Sequence, residues 1–161
     1  MTEKLLKLDK TDRRILDHLQ RDGGLSNQEL AGKVGLSPSP CLRRVKALEE
    51  AGIILRRVTL LDRKKIGLSL TVIIQIGMDR HTPERFEEFQ RHVEDFPEVQ
   101  ECYLITGQEA DYILKVAIPD MDAYQDFLLN KITRIPGVSG VHSSFVLRRV
   151  VDKTELPLGY L

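Results

Sequence analysis

The spacing of apolar residues changes once along this chain, and the change separates two kinds of structure. From Asp9 onward, Ile15, Leu16 and Leu19 fall at helical spacing; Asp9 is placed to cap the run and Gly23-Gly24 to end it. Ser26-Asn27-Gln28-Glu29 reads as a capping box, in which the Ser26 hydroxyl takes the Glu29 amide and the carboxylate reaches back. The helix it opens carries Leu30, Ala31 and Val34 and stops at Gly35. Only Gly35-Leu36 separates it from a third helix, capped by Ser37 before Pro38 or by Ser39 before Pro40. Proline is tolerated in a first turn because the amide there has no intrahelical partner anyway. Cys41, Val45 and Leu48 form the inner stripe of this helix, and Gly52 closes it. Helix, tight glycine turn, helix predicts a helix-turn-helix unit. Ile53-Ile54-Leu55 and Val58-Thr59-Leu60-Leu61 have β character and predict a wing or hinge strand, with Arg56-Arg57 between them.

After Gly67 the period becomes two. Leu70, Val72, Ile74, Ile76 and Met78 share one face of a strand, and Phe86, Phe89, Val93 and Phe96 then return to helical spacing. Phe96-Pro97-Glu98-Val99 leads into a second strand running through Ile105. The pattern recurs roughly 40 residues later. Tyr112, Leu114, Val116 and Ile118 form a strand, and Met121, Tyr124, Leu128, Ile132 and Ile135 a helix. Ile135-Pro136-Gly137-Val138 then leads into a last strand ending near Arg149. The order βαββαβ predicts the ferredoxin-like unit, a four-stranded antiparallel sheet with two helices on one face. Ile73, Ile113 and Ala117 lie on the other face, and a second copy of the sheet is the simplest cover, so a homodimer is expected. The fold class is therefore α+β, with a helix-turn-helix domain over residues 1–62, a hinge at 63–68, a ferredoxin-like domain at 69–151 and a tail at 152–161.

Charge sharpens this division. The 24 Lys and Arg balance 24 Asp and Glu over the whole chain, yet residues 1–65 carry a net +6 and the remainder a net −6. A basic front joined to an acidic back predicts an anion-binding module fused to one with another task. No apolar run approaches the about 18 residues of a membrane span, and the start MTEKLLKLDK lacks a secretory core. Cys41 and Cys102 stand far apart with no CxxC spacing, which argues against a disulfide framework or zinc and for a reducing cytoplasm.

Two places carry candidate chemistry. With Cys41, Val45 and Leu48 turned inward, the third helix leaves Ser39, Arg43, Arg44 and Lys46 near its outer face, close to the end that enters a major groove in such motifs. Arginine can grip guanine O6 and N7 or a phosphate; lysine and exposed amides position the backbone. A charge run of this kind is also what a solvated helix face looks like, but the capping box, the short turn and the basic surroundings favour DNA. The loop from Tyr103 to Tyr112 is the second place. Amides around Gly107 suit a carboxylate and Asp111 an ammonium, although a plain hairpin also uses a glycine and a local aspartate. No GxxxxGK[ST], HExxH or GxSxG occurs, and His18, His81, His92 and His142 lack metal-ligand spacing, so neither an enzyme nor a metal site is expected.

The stretch LDKTDRRILDHLQRDGGLSNQELAGKVGLSPSPCLRRVKALEEAGII resembles the DNA-binding domain of the Lrp/AsnC, or leucine-responsive and feast/famine, transcriptional regulators. VQECYLITG, ADYILKVAIPDMDAY and RIPGVSGVHSSFVL resemble the amino-acid-sensing domain of that family, so the likeness covers roughly residues 8–151. It implies a winged helix-turn-helix followed by a ferredoxin-like domain of the RAM type, whose dimers assemble further, commonly to octamers. It further implies duplex DNA and an amino-acid effector as partners, with no cofactor. By matching position, Ser37, Ser39, Pro40, Arg43, Arg44 and Lys46 would face DNA. Tyr103, Thr106, Gly107, Asp111, Met121 and Ser144 would lie at or near the effector pocket. One departure stands out: the glycine and aspartate of the loop are three apart in the family, whereas Gly107 and Asp111 are four apart. The rival expectation keeps the amino-acid sensor and gives the front domain RNA or a protein partner instead.

Overall fold

Three helices form where the caps and glycines direct them. In the computed structural model, which describes residues 7–107 and 110–160, α1 spans Lys10–Arg21, α2 Asn27–Val34 and α3 Pro38–Glu50. Asp9 closes a capping box over α1: its carboxylate accepts the Asp12 amide at 2.8 Å, and the Asp12 carboxylate accepts the Asp9 amide at 3.2 Å. Ser26 and Glu29 exchange the same pair of bonds on α2. That helix ends because Gly35 turns left-handed (φ 71°), which lets the amides of Gly35 and Leu36 bond back to the carbonyls of Gly32 and Ala31. Of the two expected caps for α3, Ser37 holds the position, yet its side chain makes no capping hydrogen bond. Ile15, Leu30, Ala31, Val34, Cys41, Val45 and Leu48 are buried together as the core of this unit.

The strand expected within 53–61 is corrected by the structure. The amides of Ile53 and Ile54 turn back onto the Leu48 carbonyl, and the following residues run extended with no ladder among the described residues. Leu55, Val58 and Leu60 are exposed. A strand is stabilised by a neighbour that takes its backbone bonds and its apolar side. Among the described residues none is present for this segment.

The alternating stretch builds a sheet as expected. Strands β1 (Leu70–Met78), β2 (Val99–Leu104), β3 (Tyr112–Ile118) and β4 (Val138–Phe145) lie in the order β2-β3-β1-β4, and every pairing is antiparallel. Helices α4 (Pro83–Glu94) and α5 (Met121–Asn130) complete the ferredoxin-like unit. Val72, Ile74, Ile76 and Met78 of β1 and Tyr112, Leu114, Val116 and Ile118 of β3 face Phe89, Val93, Tyr124 and Phe127 in one core. Two boundaries differ from expectation. The helix expected to continue to Ile135 stops at Asn130 and is followed by a 3-10 turn, Ile132–Arg134, and β4 ends at Phe145. Gly137 (φ 92°) makes the final turn with Arg85, Asp79 and Met78 so close that an added Cβ would meet them at 3.0–3.2 Å.

The chain divides between Leu60 and Leu61 into two compact units, and the segment from Val151 onward belongs with the helical one. Its anchor is Gln20 of α1, whose side chain donates to the Leu156 carbonyl at 3.1 Å and accepts the Leu156 amide at 2.9 Å.

Candidate functional site

The outer face of α3 is held still from below. Its stripe of Cys41, Val45 and Leu48 is fully buried against α1 and α2, and the Asn27 side chain donates to the Pro38 carbonyl at 2.8 Å, fixing the first turn of α3 to the start of α2. Ser37, Ser39, Arg43 and Lys46 are exposed on this helix, and Pro40 is half-buried in its first turn. Among the described residues neither Arg43 nor Lys46 has an acidic partner, so two cations and two hydroxyls stand open to solvent near a helix N-terminus. Such a terminus with free amides and cations attracts anionic ligands.

Arg44 does something else. Its Nη1 donates to Asp9 Oδ2 and to Asp12 Oδ1, both at 2.7 Å, tying α3 to the capping box of α1. The hydrogen bonds to Asp12 and Asp9 hold the guanidinium still more firmly protonated, while the Asp12 amide and Arg44 hold the Asp9 carboxyl below the usual carboxylate range. Arg44, which the family likeness sets against DNA, is held in this structure as a clamp between α3 and the start of α1. The sequence showed three cations in four residues without revealing that one has two carboxylates 32 and 35 positions upstream.

The hairpin loop of the sheet unit is closed by Ile105, whose amide donates to the Asp111 carbonyl at 2.8 Å. Asp111 is bound on every side. Its amide donates to Ile76, Oδ2 accepts the Met78 amide at 2.7 Å, and Oδ1 lies 2.8 Å from His81 Nε2. His81 had no role assigned from sequence, because its pairing partner is thirty residues away. Thr106 and Gly107 are exposed in the loop, and Gln108 and Glu109 lie outside the described residues. Tyr103 points from β2 to the side of the sheet away from the helices, where its hydroxyl donates to Glu101 at 2.6 Å. Lys115 and Tyr103 together hold the Glu101 carboxyl low, and Glu101 in turn pushes the Tyr103 phenol up.

The expected effector residues do not converge in one chain. Tyr103 and Ser144 stand on the two outer strands, three strand spacings or roughly 14 Å apart. Met121 opens α5 beyond the opposite end of β3 from Asp111, a distance of about 20 Å along the strand. A cleft of about 310 Å³ between α4 and β2 is lined by Gln90, Glu94, Cys102, Leu104 and Tyr112, and contains none of the six. Burial pushes the thiols of both Cys41 and Cys102 up, away from reactive thiolate character. Among the described residues no group of three His, Cys, Asp or Glu side chains is placed to hold a metal, and no helix is long and apolar enough to cross a membrane.

Comparisons with known proteins bear on both units. Residues 8–54 match a family model described as a winged helix-turn-helix DNA-binding domain, and residues 71–156 match the Lrp/AsnC ligand-binding domain. The chain is 40% identical over 153 residues to the transcriptional regulator AzlB of Bacillus subtilis, covering 95% of this chain and 97% of that protein. It is 42% identical over 149 residues to the leucine-responsive regulatory protein of Escherichia coli, covering 92% and 90%. Among solved structures, a Neisseria meningitidis transcriptional regulator in complex with L-Met superposes with a TM-score of 0.91 at 42% identity, covering 95% of this chain and 98% of that one.

Proposed function

This chain belongs to the Lrp/AsnC family of transcriptional regulators, and from that premise we propose how its residues divide the work. It is a DNA-binding regulator with an amino-acid-binding domain. In our reading α3 enters the major groove by its first turns; Ser39 and Arg43 reach base edges, while Ser37, Lys46 and the amides around Pro40 hold the phosphate backbone. The observation that carries this is the open cationic face of α3 over a fixed helical core. The rival reading, RNA or a protein at the front domain, loses its footing because residues 8–54 match a DNA-binding model.

For the second unit we propose a small amino acid as effector, with L-methionine the first to test because the Neisseria relative binds it. Amides near Thr106 and Gly107 meet the carboxylate. Asp111, already engaged by Met78 and His81, shapes the loop and presents its charge to the ammonium. Tyr103, Met121 and Ser144 are too far apart to close one pocket, which supports a site completed by neighbouring copies: a homodimer, assembling to an octamer. The reading gives the protein no catalytic step and no cofactor, and places it in the cytoplasm.

Titration of duplex DNA with the full chain at rising salt tests this. Log affinity should fall linearly with log salt, by about 0.9 for each phosphate neutralised, and L-methionine should shift the curve. A flat salt dependence, or equal affinity for promoter and random duplex, overturns sequence-specific regulation. Calorimetry showing no heat with any common amino acid overturns the effector.

A further inference from the structure

Among the described residues of α1, α2 and α3, Leu42 is the one large apolar side chain that is exposed, at 43%. A single surface leucine usually needs no explanation. This one has a defined address. It is the fifth residue of α3, one helical turn from Ser39 and from Lys46 and next to Arg43, on the face that leaves the core behind. It is absent from the apolar cluster that Cys41, Val45 and Leu48 join, while Leu36 and Ile54, flanking the same helix, do pack there. The fold has turned Cys41, Val45 and Leu48 of the same helix inward and left Leu42 beside Ser39, Arg43 and Lys46.

We propose that Leu42 is a specificity-determining residue that packs against the 5-methyl group of a thymine. The inference rests on the DNA-binding reading above. In a helix-turn-helix the first turns of this helix meet the base edges. The thymine methyl is the only apolar group a base pair presents in the major groove, so an exposed leucine there gains by covering it and meets only polar edges elsewhere. Arg43 and Ser39, beside it, supply the hydrogen bonds that an apolar side chain cannot, so the three together read a mixed site.

The test uses the full chain and a duplex it selects itself from a randomised pool. Each dT of that duplex is replaced singly by dU, which removes the methyl and leaves every hydrogen bond in place. One or two positions per half-site should lose about fourfold in affinity, the size of one buried methyl. Leu42→Ala should weaken binding to the parent duplex by a similar factor and make those positions indifferent to dU, with an unchanged thermal midpoint. If no dT→dU replacement affects the unmutated chain, or the sensitive positions stay sensitive in Leu42→Ala, the proposal is overturned while DNA binding stands. If no duplex is enriched at all, the DNA reading fails and this inference with it. The scan on the unmutated chain decides the matter even if the variant folds poorly.

Discussion

Two adjacent arginines with the same charge on the same helix have different surroundings. Arg43 faces outward with no acidic partner among the described residues, whereas Arg44 is held by Asp9 and Asp12. Helical spacing sets Arg43 opposite the buried stripe and Arg44 beside Cys41 and Leu48, but the carboxylates that hold Arg44 come from α1 and are not legible in the local sequence. The variants should part cleanly. Arg43→Ala should lower affinity for a specific duplex by about 1–3 kcal/mol and relax its sequence preference if the side chain reads a base. Its thermal midpoint should stay put. Arg44→Ala should lower the midpoint, because it leaves two carboxylates facing each other without their cation, and should affect DNA affinity only through the loosened helix. Equal loss of affinity with equal midpoints would show that Arg44 meets DNA after all. The binding measurement and a thermal melt on the same samples give the answer.

Elements in this protein are fixed by their ends. Asp9 and Glu29 both cap helices, and both carboxyls are held low: Asp9 by the Asp12 amide and then Arg44, Glu29 by the Ser26 hydroxyl and amide. A carboxyl whose folded value is depressed contributes stability above its unfolded value, about 4, and loses that contribution as pH falls through the folded one. The helical unit should therefore weaken on acidification below about pH 4, and Asp9→Asn with Glu29→Gln should flatten that limb while lowering stability at neutral pH. Circular dichroism melts from pH 6 to 2 check it; an unchanged acid limb in the double variant would mean the caps carry nothing. These caps were legible in the sequence, because a capping box acts within four residues and Gly35 acts within one turn. Strands β1 and β3 were legible for the same reason, with their period of two unbroken. What was not legible depends on partners far along the chain. Phe127 is fully buried in the core while Leu128 packs against it only in part, a choice made by how α5 lies on the sheet. His81 meets Asp111 only once β1 and β3 are paired. The apolar stretch around Leu55 has the composition of a strand and, among the described residues, no strand beside it.

At the scale of the molecule, one chain leaves apolar surface open or half-covered in two places. Leu55 and Leu60 are 87% and 71% exposed on an extended segment, and the sheet face away from α4 and α5 carries the half-buried Ile73 and Ile113 beside an already buried Ala117. That face is not uniformly apolar: Lys115 pairs with Glu101, and Tyr103 bonds the same carboxylate, so these charges are paired in place. A face whose apolar centre is flanked by satisfied polar groups suits burial against its own copy, since a two-fold axis brings like patches together. Dimerisation also matters for DNA, because two weakly bound half-sites on one body gain affinity from effective concentration. Ile73→Glu with Ile113→Glu adds two charges per chain to that centre without touching the core, where Ile74 and Leu114 lie on the opposite side. Buried in a dimer, four unpaired carboxylates cost far more than such an interface provides. Sedimentation at micromolar concentration should show the unmutated chain as a dimer or larger and the double variant as a monomer with unchanged β-sheet dichroism. Its duplex affinity should fall to that of a single half-site. A variant that still sediments with the unmutated chain would move the interface elsewhere, and the exposed segment around Leu55 is then the surface that must carry it.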